Sequence, residues 1–146
     1  MLLADSNVWL ALALSKHAAH PAVRAWFARQ KRLQAVLFCR STQQSFLRLL
    51  TTRAVLAPYG IPPLTNKAAW SAFEGFRADQ RIGWVDEPRG LETHWKKLAG
   101  GPWPSPKLWM DAYLAAFAMA GGYQIVTTDK AFKQFKLLDL VLLSKS

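Results

Sequence analysis

Short apolar runs alternate with longer helix-patterned segments along the whole chain, and few folds accept that alternation. Residues 2–4, 35–38, 83–85, 123–127 and 138–143 read as strands, each bounded by polar or turn-forming residues. Helices are expected over 7–14, over 21–30 with Pro21 suited to a first turn, and over 91–99. Another helix is expected to be capped by Ser41 or Thr42 and to run through Leu50, and another to run from Thr65 or Asn66 to about Ala78. The clearest pattern spans 107–120 and is closed by Gly121 and Gly122. Residues 59–63 and 100–106 are expected to be irregular, and 130–135 a short helical turn. Strands joined through helices lie parallel, and a parallel sheet is covered on both faces. With 146 residues, no internal repeat and no linker, one α/β domain over residues 1–146 is expected.

Charge narrows the function. There are 19 Lys and Arg against 9 Asp and Glu, a formal net charge of +10. Apolar residues make up 51% of the chain, which excludes a disordered basic tail. The single cysteine, Cys39, excludes a disulfide framework and a multi-thiolate zinc site. No apolar run approaches the roughly 20 residues that span a bilayer. The opening residues lack the basic segment of a secretory signal, so a cytoplasmic protein with no membrane partner is expected. A surface this basic suits a polyanion.

The nine carboxylates divide into two groups. Glu74, Asp79, Asp86, Glu87, Glu92 and Asp139 sit in polar stretches and read as solvated charge. Asp5 and Asp129 instead follow strands directly, and Asp111 lies in the first turn of a helix in phase with Leu114, Ala115 and Ala118. Open α/β sheets build their sites beyond the C-terminal ends of the strands, so all three are expected at one rim. Converging carboxylates repel, and a hard divalent cation, Mg²⁺ or Mn²⁺, relieves the repulsion while favouring oxygen ligands. Such an ion activates water and stabilises charge on phosphoryl oxygens. Ser6, Asn7, Thr127 and Thr128 flank the acids and are candidates to orient them. The plainer alternative is that each acid only caps or opens its own helix.

Arg40, Arg48 and Lys130 are candidate phosphate contacts, although Arg48 lies more than a turn beyond Gln43. Trp103 and Trp109 are expected to pack the 100–109 segment onto the core, with stacking on unpaired bases as the alternative. Trp9 and Trp26 fit either a core or an interface.

Four segments together resemble the PIN domains, especially the VapC-type toxins of bacterial toxin–antitoxin pairs. They are Leu2-Leu3-Ala4-Asp5-Ser6-Asn7-Val8-Trp9, Ser41-Thr42-Gln43-Gln44-Ser45-Phe46-Leu47-Arg48, Leu108-Trp109-Met110-Asp111-Ala112-Tyr113 and Ile125-Val126-Thr127-Thr128-Asp129. The resemblance implies a three-layer α/β/α sandwich with a mainly parallel central sheet. It implies a Mg²⁺- or Mn²⁺-dependent endoribonuclease acting on RNA of the tRNA or rRNA class, with Asp5, Asp111 and Asp129 as catalytic metal-site acids. It also implies a homodimer and a cognate antitoxin. Gln43 departs from the pattern, because many relatives carry a glutamate at the matching place. An amide ligates only through its carbonyl and carries no negative charge. Two other readings stay open. One is a catalytically weak or inactive RNA-binding module on the same fold. The other is an Asp-nucleophile phosphatase, whose acid/base Asp would be expected where Asn7 stands.

Overall fold

Five short strands, each three or four residues long, form one fully parallel sheet. They are β1 (Leu2–Ala4), β2 (Val36–Phe38), β3 (Ile82–Trp84), β4 (Gln124–Thr127) and β5 (Leu140–Leu142), in the order β3-β2-β1-β4-β5. The computed structural model describes residues 1–144. Seven helices connect the strands: α1 (Ser6–Ala13), α2 (His20–Ala28), α3 (Arg40–Leu50), α4 (Arg53–Leu56), α5 (Asn66–Arg77), α6 (Leu91–Ala99) and α7 (Leu108–Gly121). Two 3₁₀ turns cover Ala57–Tyr59 and Lys130–Gln134.

Successive strand side chains point to opposite faces, and here both faces are apolar. Ala4, Val36, Phe38 and Val126 point into a core shared with α1, α2, α3 and α5. Leu3, Leu37 and Ile125 point into a second core shared with α6, α7 and the 3₁₀ turn that carries Phe132. The result is the expected three-layer α/β/α sandwich. Trp9 belongs to the first core, where its ring stacks on Phe38 at 3.8 Å and its indole N–H donates to the Ala4 carbonyl at 3.2 Å. Trp26 is buried in the same core. At the far end of α7, Gly122 takes the left-handed conformation at φ 72°, and its N–H closes the helix on Ala118.

Strand and helix positions follow the sequence expectation to within a few residues, with three differences. Helix α3 starts at Arg40, so neither Ser41 nor Thr42 is its cap. Cys39 holds that position, and its N–H donates to the Thr42 hydroxyl at 3.0 Å. The helix at 53–56 and the turn after it were not expected, because one helical turn is too short to display a period. Strand β3 begins one residue earlier than its apolar run suggested.

The strand order positions the site. The chain leaves β1 toward β2 through helices on one face, and it enters β4, on the other side of β1, from α7 on the opposite face. Connections that diverge in this way leave a crevice between the C-terminal ends of the two strands.

Candidate active site

Asp5 and Asp129 stand on the two sides of that crevice. Asp5 follows β1, and its N–H donates to the Val126 carbonyl of β4 at 2.9 Å. Its carboxylate is buried and accepts from the Ser6 N–H at 2.7 Å and from the Thr127 hydroxyl at 2.8 Å. The same Thr127 oxygen accepts from the Asp129 N–H at 3.0 Å. One hydroxyl therefore fixes the orientation of Asp5 and the backbone from which Asp129 projects. Asp129 in turn caps the next turn by accepting from the Ala131 N–H at 2.9 Å. Asp5 and Asp129 both cap short helical segments, so the plain reading of these acids is correct as far as it goes. It omits that they share a cleft.

That cleft, of about 200 Å³, is lined by all three acids together with Ser6, Asn7, Ser41, Thr42, Ser45 and Arg48. Asp111 reaches it from the first turn of α7. The electrostatics carry the mark of this convergence. Burial pushes the Asp5 carboxyl up to about 6, held back by the hydrogen bonds from Thr127 and Ser6 and raised further by the Asp111 charge. Asp111 is also raised, first by burial and then by the charge of Asp129. Among the described residues no Lys or Arg forms a salt bridge with any of the three, and the ion pair that does form is Arg81 with Asp79.

The donor set is all oxygen, and no histidine or cysteine lines the cleft. That composition suits Mg²⁺ or Mn²⁺ and not zinc. Among the described residues no three His, Cys, Asp or Glu side chains are already gathered as ligands for one ion. An open arrangement of this kind fits a cation that keeps several of its waters.

Helix α3 presents a different face from the one expected. Ser41, Ser45 and Arg48, spaced by four and three residues, line the cleft, whereas Gln43 does not. Gln43 is 6% exposed, and its amide oxygen accepts from Arg40 Nη1 at 2.6 Å. Arg48 is thus in phase with the cleft, because the helical spacing counts from Ser41 and not from Gln43. Sequence reasoning missed Ser41, Thr42 and Ser45 as cleft residues, since a serine or threonine in a helix carries no signal of its own. Thr128 and Lys130 line a neighbouring cavity that shares only Asp129 with the cleft. Of the other six acids, Asp79 is half-buried in its ion pair and the rest are exposed.

A second and larger groove, of about 510 Å³, adjoins the cleft and shares Ser41 and Met110 with it. Trp95, Trp109 and Tyr113 form its aromatic wall, and Arg40 and Gln44 line it from α3. The expectation that Trp103 and Trp109 pack inward fails: they are 80% and 54% exposed. Trp103 lies in the irregular, proline-rich stretch 100–107, and Trp109 lies in the first turn of α7 on its outer side.

A PIN-domain family model matches residues 2–138. Ribonuclease VapC41 of Mycobacterium tuberculosis, from two strains, is 55% identical to the chain over 146 residues, covering 99% of it and 100% of the relative. Two solved structures show the same fold. The Mycobacterium tuberculosis VapC20 toxin, described as cleaving the sarcin–ricin loop, aligns with a TM-score of 0.66 at 18% identity, covering 95% of this chain and 98% of that one. VapBC2 of Rickettsia felis, solved with a DNA fragment from its promoter, aligns with a TM-score of 0.66 at 12% identity, covering 98% of each chain.

Proposed function

The chain belongs to the PIN-domain family, and from that premise we propose that it is a divalent-cation-dependent endoribonuclease, the toxin of a VapC-type toxin–antitoxin pair. The observation that carries the mechanism is the single cleft lined by Asp5, Asp111 and Asp129, where the parallel sheet reverses its direction of winding.

Asp5, Asp111 and Asp129 are the residues that would hold Mg²⁺ or Mn²⁺. Bound there, the cation supplies water activation and neutralises charge developing on the phosphodiester oxygens. The chain's own residues supply position. Thr127 holds the Asp5 carboxylate in one orientation, so no reorganisation is needed when substrate arrives. Arg48 lines the same cleft and offers a planar fork of donors to a phosphate. Ser41 and Ser45 add hydroxyls to the same wall.

RNA of the tRNA or rRNA class is the proposed substrate, and a cognate antitoxin and a second copy of the chain are the proposed partners. No helix among the described residues is long and apolar enough to cross a membrane, and action in the cytoplasm is proposed with the rest. The reading as an inactive RNA-binding module depended on Gln43 standing in for a metal ligand. Against that reading stands the engagement of the Gln43 amide by Arg40, away from the residues that line the acid cleft. Family membership sets the phosphatase aside.

The test is Asp5→Asn, assayed for cleavage of structured RNA with Mn²⁺ and for Mn²⁺ binding by calorimetry. Cleavage is expected to fall by at least about a hundredfold, with Mn²⁺ binding weakened. Undiminished cleavage by the variant would refute the assignment.

A further inference from the structure

The groove beside the acid cleft has a cation at one end and an open aromatic surface along its wall. Its volume of about 510 Å³ lies within the roughly 300–1,000 Å³ of sites that take small molecules or single residues. The Arg40 guanidinium is held before any ligand arrives, bonded to the Gln43 amide oxygen at 2.6 Å and lying 4.8 Å from the centre of the Trp84 ring. A fixed guanidinium loses little freedom when it grips a phosphate.

The aromatic wall is braced as well. The Trp95 indole N–H donates to the Trp109 carbonyl at 3.0 Å, and the two rings meet nearly at right angles with centres 6.2 Å apart. Trp95 meets Tyr113 in the same way at 5.4 Å. Trp109 nonetheless stays 54% exposed. Two carboxylates also line the groove, with Asp86 accepting from Trp84 and Glu87 from Tyr113. They repel a phosphate from their part of the wall and accept hydrogen bonds from the amino groups of bases.

We propose that this groove seats an unpaired nucleotide adjacent to the bond that is cut, its base against Trp109, Trp95 and Tyr113 and its phosphate on Arg40. The proposal rests on the ribonuclease reading, and three observations favour RNA as the occupant. The groove is continuous with the cleft through Ser41 and Met110. The chain carries a net charge of +10. An aromatic face with a neighbouring guanidinium is how proteins hold unpaired bases. A paired base keeps its faces covered, so the groove selects looped or single-stranded segments.

The test measures binding of a labelled single-stranded RNA 12-mer, and of its duplex, to the full chain in chelator, so that nothing is cut. Trp109→Ala is expected to weaken single-strand binding by about fivefold or more, Trp109→Phe to restore most of it, and neither to change duplex binding. An abasic nucleotide at the seated position is expected to weaken wild-type binding by a similar factor and to add nothing to Trp109→Ala. Equal losses for single strand and duplex, or no loss at all, would overturn the proposal. So would unchanged RNA affinity combined with loss of the antitoxin complex, which would give the groove to the protein partner. Cleavage with Mn²⁺ is measured separately on the wild type. Its absence would refute the ribonuclease reading and leave the binding result standing.

Discussion

Asp5 is where function and stability oppose each other within one side chain. Its carboxyl is raised to about 6 from an ordinary 3.8, chiefly by burial. Below about pH 3 the group is protonated in folded and unfolded chains alike and costs nothing. Between about pH 4 and 6 the unfolded chain has already released its proton while the folded chain still holds it, so stability falls across that window. Above that range the cost levels off at about 3 kcal/mol. The Asp5→Asn variant, measured in chelator by urea unfolding, is therefore expected to gain about 1–3 kcal/mol at pH 8 and nothing at about pH 3. The same variant is the one expected to lose cleavage. If Asp5→Asn proved less stable than wild type at pH 8, the hydrogen bonds from Ser6 and Thr127 would outweigh burial.

At the scale of the element, α3 decides which side chains reach the site, and its phase differs from the sequence expectation. The Gln43-Gln44 pair stands out in the sequence because amides resemble acids, but the helix turns Ser41, Ser45 and Arg48 to the cleft. Gln43 is engaged by Arg40, and Gln44 lines the aromatic groove. A carboxylate introduced by Gln43→Glu is expected to pair with Arg40 and to leave Mn²⁺ affinity unchanged. Ser41→Glu, on the cleft face, is expected to strengthen Mn²⁺ binding by about fivefold or more, because it adds a fourth charge to the cleft. Calorimetry on the two variants separates these outcomes, and a gain from Gln43→Glu alone would restore the sequence reading of this helix. The origin of the difference is physical. The apolar residues of α3 show which side is core, while Arg40, Gln44 and Arg48 stay exposed, and nothing in that pattern says which polar residue meets the acids across the crevice.

On the scale of the whole molecule, the cations are distributed unlike the acids. Nineteen Lys and Arg make the chain strongly basic, while three of nine carboxylates gather in one cleft. Association with RNA should therefore depend strongly on salt. Each phosphate neutralised on a single strand contributes about −0.7 to the slope of log affinity against log salt concentration. Roughly three or four contacts give a slope of about −2 to −3, and Arg48→Ala is expected to flatten it by about 0.7. A wild-type slope shallower than about −1 would show that the basic surface does not serve to bind RNA.

The alternation of apolar runs by itself determined the layered α/β architecture, because a buried strand and an amphipathic helix are legible from period and length alone. It also marked Asp5 and Asp129, since an acid placed directly after a buried strand has few places to go. What it could not supply was distance between residues remote in the chain. The strand order β3-β2-β1-β4-β5 sets β4 beside β1, and only that pairing brings the Thr127 hydroxyl onto the Asp5 carboxylate, 122 positions away. The rotation of α3 and the outward turn of Trp109 were settled in the same way, by packing against distant elements. Local pattern fixes what each segment becomes, and long-range packing fixes which side chains meet.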